Sequence, residues 1–465
     1  MVVLFLAIAV RIPTLDEPLV EEHAFRQTQT AYTALLFHEQ GVDLLHPKLP
    51  VLGAPFEVPF EFPLFQALAA APMSWGLSPD VAVRTTALAC FLLAALLLWG
   101  LVRHLGGRTA ALVALGAFLF SPFSLLWSRA SLIEYLAVAG ALGWLWAGLL
   151  WRDRRRAVYA VASLVAGLTA MLVKPTTAAL WVLPLLAYRA VAERDGWKSW
   201  FRARFDLVLA VVVVVPFVAA LAWTAHADAI KAANPATKWL TSAWLATWNF
   251  GTLDQRLSWG SCTTIGNRVT ALLTGYPALL LPLTALVGFR TRNARFWVAL
   301  VAIPGLTILC FWNLYVVHDY YLAAITPVPA AVAGFGFARA WHAVDRTRIR
   351  ALLLALLGMC TAGLALLHPS YAMLAYRHAS VDRLYPEARE LARVSTPEDL
   401  VVFEGLDWEP VIPYYARRTG LMLVEETWPA TAEGLAADGY RLLLSKRLTG
   451  TLAIDLIRSG RWTGV

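Results

Sequence analysis

Charge is what this 465-residue chain has least of. Asp, Glu, Lys and Arg make up 15% of it, against 59% hydrophobic residues. A soluble globular chain carries about a quarter charged residues. The shortfall, with a mean hydropathy of +0.60, excludes an ordinary water-soluble domain and points to lipid as the solvent. Cysteine is scarce too. Cys90, Cys310 and Cys360 lie in apolar runs, Cys262 in a polar loop, and no two are close in sequence. Neither a disulfide framework nor a cysteine metal site is suggested. The chain has no D-x-D, which argues against a nucleotide-sugar metal site of that type. It has no G-x-x-x-x-G-K-S/T and no H-E-x-x-H, which argues against a P-loop ATPase and a zinc peptidase of that kind. No cofactor is firmly implied. A divalent metal is compatible with the acids present, but no ligand spacing indicates one.

What the chain has is apolar length. MVVLFLAIAVRIP lacks a basic n-region and an A-x-A site, so it reads as a first span rather than a cleaved signal peptide. Further runs lie near 82–102, 109–127, 131–151, 157–173, 175–190, 206–225, 269–289, 296–315, 320–340 and 350–368. That makes about eleven spans. The 20 Trp and 14 Tyr suit helix ends at lipid headgroups. The two glycines of AGFGFARA (333–340) read as close helix packing. The net charge of +8 does not call for nucleic acid as a partner, because the cations sit in short loops between spans. With the N-terminus inside, the Lys/Arg clusters at 103–108, 152–156, 189–204, 290–295 and 346–350 all fall on one side. Single cations, Arg129 and Lys174, fall on the other. This alternation is the positive-inside pattern.

Three longer segments then face outward: residues 14–80, residues 226–268 and the tail from 369 to 465. The tail changes composition. DRLYPEARELARV (382–394) predicts a helix, DLVVFEG (399–405) and RLLLSKR (441–447) predict strands, and Tyr414, Tyr415, Arg417 and Arg418 read as a surface helix. The predicted fold is therefore an all-α polytopic membrane unit over 1–368 and a small α/β extracytoplasmic domain over 369–465.

The candidate chemistry gathers on the outer side. The first long segment carries Glu21, Glu22, His23 and Arg26, then an amphipathic interfacial helix over Thr28–Phe37, then Glu57 and Glu61 among prolines. A solvated loop with capping acids accounts for part of this, but Glu61 lies between Phe60 and Phe62. Arg129, Glu134, Lys174, His318, Tyr320 and Tyr321 lie near outer span ends. Ionisable groups at that depth are functional candidates. Snorkelling and an aromatic belt are the structural alternatives for the cations and the tyrosines.

The order of acids after a short first span, HAFRQTQTA, FEFPLFQAL, KPT and HDYYL resembles glycosyltransferase family 39. These are membrane-embedded GT-C enzymes related to protein O-mannosyltransferases and the lipid A aminoarabinose transferase. The resemblance implies a GT-C fold, two juxtamembrane helices in the first outer loop, and a polyprenyl-phosphate sugar donor. It implies a catalytic acid in the Glu21–Glu22 pair, with Asp16–Glu17 an earlier match. It maps a second family glutamate onto Glu61. The lysine that follows in relatives is Phe62 here, so Lys174, Arg129 or Arg26 must supply the phosphate-binding cation.

The chemistry so implied is inverting transfer to an acceptor hydroxyl on a lipid or protein, in a bacterial inner membrane with the site extracytoplasmic. A carboxylate of raised pKa would serve as base, and cations would stabilise the departing phosphate. The rival reading is a transporter or flippase of lipid-linked sugars. It would favour charges near the bilayer midplane between inverted repeats, whereas these cluster at one face.

Overall fold

A computed structural model describes residues 2–188, 207–274, 294–343, 347–350, 354–355, 380–423, 432–445 and 453–456. Short α1 (Val2–Ala9) precedes two helices of the first long connection, α2 (Ala24–Gln40) and α3 (Leu64–Ser74). Then come α4 (Pro79–Phe120), α5 (Pro122–Trp127), α6 (Glu134–Arg154) and α7 (Ala157–Val173). The 42-residue α4 bends at Gly107, whose φ of 82° only glycine adopts at little cost. It thereby joins the predicted run 82–102 to most of the run 109–127.

Among the described residues, four segments are long and apolar enough to cross a membrane: Pro79–Phe120, Glu134–Arg154, Leu207–Ala233 and Tyr320–Ala343. Ala157–Val173, Pro175–Ala187 and Ala294–Cys310 are shorter apolar helical stretches. The Leu207–Ala233 helix turns Val214, Val218 and Leu221 outward, each more than half exposed. Such a face suits hydrocarbon rather than water. The predicted run 269–289 lies outside the described residues from 275 on, and 350–368 does so almost entirely. The same holds for Arg189, Arg194, Lys198, Arg202, Arg204, Arg290, Arg292 and Arg346.

Small residues set the helix contacts. A Cβ on Gly334 would come 2.3 Å from the Ala110 carbonyl oxygen, so the Pro327–Ala343 helix packs its backbone directly on α4. Gly140 likewise brings α6 close to α7, where a Cβ would come 2.8 Å from the Ala170 nitrogen. These contacts fit the close-packing reading of AGFGFARA.

The tail folds into a four-stranded sheet of β1 (Leu400–Glu404), β2 (Thr419–Leu423), β3 (Tyr440–Ser445) and β4 (Ala453–Leu456), in the order β2-β1-β3-β4. β1 runs parallel to β2 and β3, and β4 is antiparallel to β3. β1 and β3 match the predicted strands. The predicted helix 382–394 breaks at Tyr385 before Pro386 into two pieces, because a residue before proline avoids the helical region.

Two expectations change. The helix Val411–Ala416 is buried, not a surface helix. Tyr414 Oη donates to Asp80 Oδ1 at 2.6 Å and Tyr415 Oη to Oδ2 at 3.0 Å. The Leu19 N–H in turn donates to Tyr415 Oη at 2.6 Å. Helix α2 is likewise covered rather than interfacial, with Gln27 through Phe37 all buried. Its cover comes from α3, α4 and the tail; Tyr32 Oη donates to the Arg418 carbonyl at 3.0 Å, and the Tyr32 and Tyr414 rings lie 5.8 Å apart. The seam also includes backbone bonds, Gly420 N–H to Pro50 O at 2.9 Å and Met422 N–H to Val51 O at 2.8 Å.

Candidate active site

Local backbone rules deliver the side chains. Helix α7 stops at Val173 because Pro175 bars Lys174 from helical geometry, and Lys174 sits at φ −159°, ψ 88°. His318 is extended between the helix Trp312–Val317 and the 3₁₀ turn Tyr320–Ile325. Glu61 lies on a segment stiffened by Pro59 and Pro63. That segment is pinned by Trp223 Nε1 donating to Phe60 O at 3.0 Å and by Phe62 N–H donating to Leu172 O at 3.1 Å. The second bond ties the Glu61 segment to the end of α7, two residues before Lys174. Phe62 itself packs edge-on against Trp223, ring centroids 5.0 Å apart.

These pieces surround a cavity of about 300 Å³. Six of the residues singled out from sequence line it: Arg26, Glu61, Lys174, His318, Tyr320 and Tyr321. Arg26 Nη2 donates to both Glu61 oxygens, at 2.7 and 2.8 Å, while Nη1 donates to Gln29 Oε1 at 2.6 Å. Burial raises the Glu61 pKa, but Arg26 and Lys174 outweigh it and leave the carboxyl below its usual range. Lys174 pairs with Glu134 in the first turn of α6, both buried. Its Nζ lies 4.4 Å from the Tyr321 ring centre.

Glu134 and His23 are just behind this wall. His23 caps α2 in the left-handed region at φ 53°, and its Nε2 is 3.0 Å from Asp319 Oδ1. Its ring meets those of His318 and Tyr320 edge-on, each at 4.9 Å. His318 is pushed down to about 3, by burial first and then by the charges of His23, Arg26 and Lys174. It is therefore a neutral imidazole at physiological pH.

The remaining candidates are not at the cavity wall. Glu21 is clamped by two fully buried arginines, Arg84 at 2.7 Å and Arg129 through a two-pronged pair at 2.9 Å. Burial raises its pKa, and the two guanidinium charges more than reverse this, to about 2. The raised value expected of a base is not found at Glu21. Glu22 is exposed. Glu57 makes a backbone bridge with Lys48.

Among the wall residues that the sequence reading missed are Asp228, Lys231, Trp239, Trp248 and Trp408. Asp228 and Lys231 pair at 3.2 Å one helical turn apart. A carboxylate and an amine at i, i+3 on the end of an apolar run were a usable signal. Arg84, an arginine inside a predicted span, was another. Among the described residues, no three His, Cys, Asp or Glu side chains gather as a metal site.

Residues 58–223 match the family model of dolichyl-phosphate-mannose-protein mannosyltransferases. ArnT from Cupriavidus metallidurans, solved with undecaprenyl phosphate bound, is similar with a TM-score of 0.64 at 17% identity. The match covers 91% of this chain and 86% of that one. The oligosaccharyltransferase AglB from Archaeoglobus fulgidus, solved with an inhibitory peptide and a dolichol-phosphate, is similar with a TM-score of 0.58 at 12% identity. Here the match covers 95% and 69%. No curated protein sequence matches the chain. The fold is that of the GT-C membrane glycosyltransferases, as the sequence resemblance implied.

Proposed function

We propose that this chain is an inverting glycosyltransferase that moves a sugar from a polyprenyl-phosphate donor to an acceptor hydroxyl on a lipid or protein. The observation that carries the reading is the meeting of Arg26, Glu61 and Lys174 on one cavity wall. The lipid phosphates bound by ArnT and AglB support the donor class. In this reading the chain sits in a bacterial inner membrane with about eleven spans. The cavity and a tail domain over 369–465 are extracytoplasmic.

The donor phosphate binds between Arg26 and Lys174. Once Arg26 turns to the phosphate, Glu61 loses its main counter-charge but stays largely shielded from water. Burial and the new anion both raise its proton affinity. The carboxylate then takes the proton from the acceptor hydroxyl as that oxygen attacks the anomeric carbon. The bond from that carbon to the phosphate oxygen breaks, and its electron pair leaves with the phosphate. Lys174 and Arg26 stabilise the growing charge there. Attack opposite the leaving group inverts the anomeric centre. Glu134 keeps Lys174 in place, and the neutral His318 offers hydrogen bonds without adding charge. Glu21 is the alternative base from the resemblance. Its two arginines make it a weak one, so it acts by holding α2 against α4 and the Ser128–Ala130 segment.

The test is transfer from undecaprenyl-phosphate sugars by purified protein in lipid nanodiscs, compared with Glu61→Gln. Wild-type protein that neither binds undecaprenyl phosphate nor cleaves a sugar from it overturns the reading. Movement of the lipid across vesicles without cleavage would favour a flippase instead.

A further inference from the structure

Trp408 belongs to the tail, yet it lines the cavity that the helical part of the chain builds. Its ring meets three aromatic rings from three other segments: Phe25 of α2 at 5.9 Å, Phe60 at 5.8 Å and Trp239 at 5.7 Å. Phe25 and Phe60 each adjoin one partner of the Arg26–Glu61 pair in sequence, so the aromatic group sits next to the proposed phosphate position. Trp408 is only half-buried, with part of its surface free toward the cavity.

The backbone is bent to put it there. Gly405 has φ 74° and Asp407 φ 53°, so a non-glycine residue next to Trp408 occupies the left-handed region. Backbone strain of this kind persists where surrounding structure holds it, and it clusters at ligand sites. The surrounding structure is the seam between tail and first connection: both tyrosines on Asp80, Tyr32 on the Arg418 carbonyl, and β2 on Pro50 and Val51. A tail needed only for stability could dock by that seam alone, without sending an indole past it into the cavity.

We propose that Trp408 is a sugar-binding residue, so that the tail supplies one wall of the donor site. This rests on the donor reading above. Pyranose and furanose rings carry apolar C–H faces between their hydroxyls. An indole half exposed beside the Arg26–Glu61 pair offers the flat apolar surface such a face needs. The group recognised is the sugar, not the lipid or the phosphate.

The experiment compares binding of undecaprenyl phosphate with that of undecaprenyl-phosphate glucose and undecaprenyl-phosphate mannose, for wild type, Trp408→Ala and Trp408→Phe. The full-length protein is used in nanodiscs. Wild type is expected to bind one sugar form at least tenfold more tightly than bare undecaprenyl phosphate. Trp408→Ala should lose that increment while holding undecaprenyl phosphate within twofold, and Trp408→Phe should keep most of it. Equal weakening of all three lipids in Trp408→Ala would make the residue merely structural and overturn the proposal. So would unchanged binding of all three, or a wild type to which neither sugar adds affinity. Failure of the donor reading itself looks different: undecaprenyl phosphate does not bind, and Lys174→Ala changes nothing.

Discussion

Arg26 holds both oxygens of Glu61 through one nitrogen, at 2.7 and 2.8 Å, inside a cavity that also contains Lys174. A cation and a carboxylate so matched are silent until a second anion competes for the guanidinium. Replacing Glu61 by Gln keeps the shape but removes the proton acceptor. Transfer is expected to fall by about 10²–10⁴-fold, the usual worth of a positioned base. Undecaprenyl phosphate should bind as well or better, since Arg26 is then free for it. Glu22→Gln, at an exposed position, should transfer at the wild-type rate. Product formation under saturating donor checks both.

Lys174 and Glu134 test a different point. Removing one member of a buried pair leaves the other charge uncompensated, at about 3–5 kcal/mol. Lys174→Met should therefore lower both thermal stability and lipid-phosphate affinity. The double variant Lys174→Met, Glu134→Met should regain most of the stability and none of the affinity. Thermal melts and binding isotherms on the same samples separate the two effects.

Glu21 makes a prediction about acid. The folded protein keeps it ionised down to about pH 2, while the unfolded chain takes up the proton near the ordinary glutamate value of 4.5. A depressed folded pKa contributes stability that is complete above about 4.5 and disappears as pH falls toward 2. The melting temperature should be insensitive to this residue from pH 8 to 5 and drop below 4.5. Glu21→Gln should show the loss already at neutral pH. A Glu21→Gln curve that parallels wild type from pH 8 to 3 would contradict the clamp.

His318 is also shifted downward, but here the shift keeps the group uncharged. Its pKa is lowered to about 3, so it stays predominantly the neutral imidazole, with one ring N–H, between pH 4 and 8. Activity should show no inflection near 6.5 from this group. His318→Gln, which keeps a neutral hydrogen-bonding side chain, should leave the shape of the pH–rate profile unchanged even if the rate falls. An inflection near 6.5 that vanishes in the variant would mean the imidazole titrates after all.

Much of the site was readable because charge is rare in such a chain. Arg26, Glu61, Lys174 and His318 each stood out against apolar neighbours, and the prolines at 59, 63 and 175 marked where backbone leaves helix. Trp408 was invisible for the converse reason. In a chain with 20 tryptophans one more carries no signal, and only folding brings it beside Phe60. The clamp on Glu21 was not legible because it depends on Arg84, far away in sequence at the start of α4. The covering of α2 was missed because a periodic polar face looks the same whether water or a docked segment satisfies it. The run at Asp228 and Lys231 was cut short by the hydropathy that defined the span.

The seam between β2 and the Pro50–Val51 backbone also constrains biosynthesis. The cavity's final wall is encoded near the end of the message, while the Arg26–Glu61 pair it adjoins is encoded near the start. A nascent chain still on the ribosome can insert its helices and form its ion pairs. It cannot complete the chamber until translation reaches the tail and Tyr414 and Tyr415 dock on Asp80.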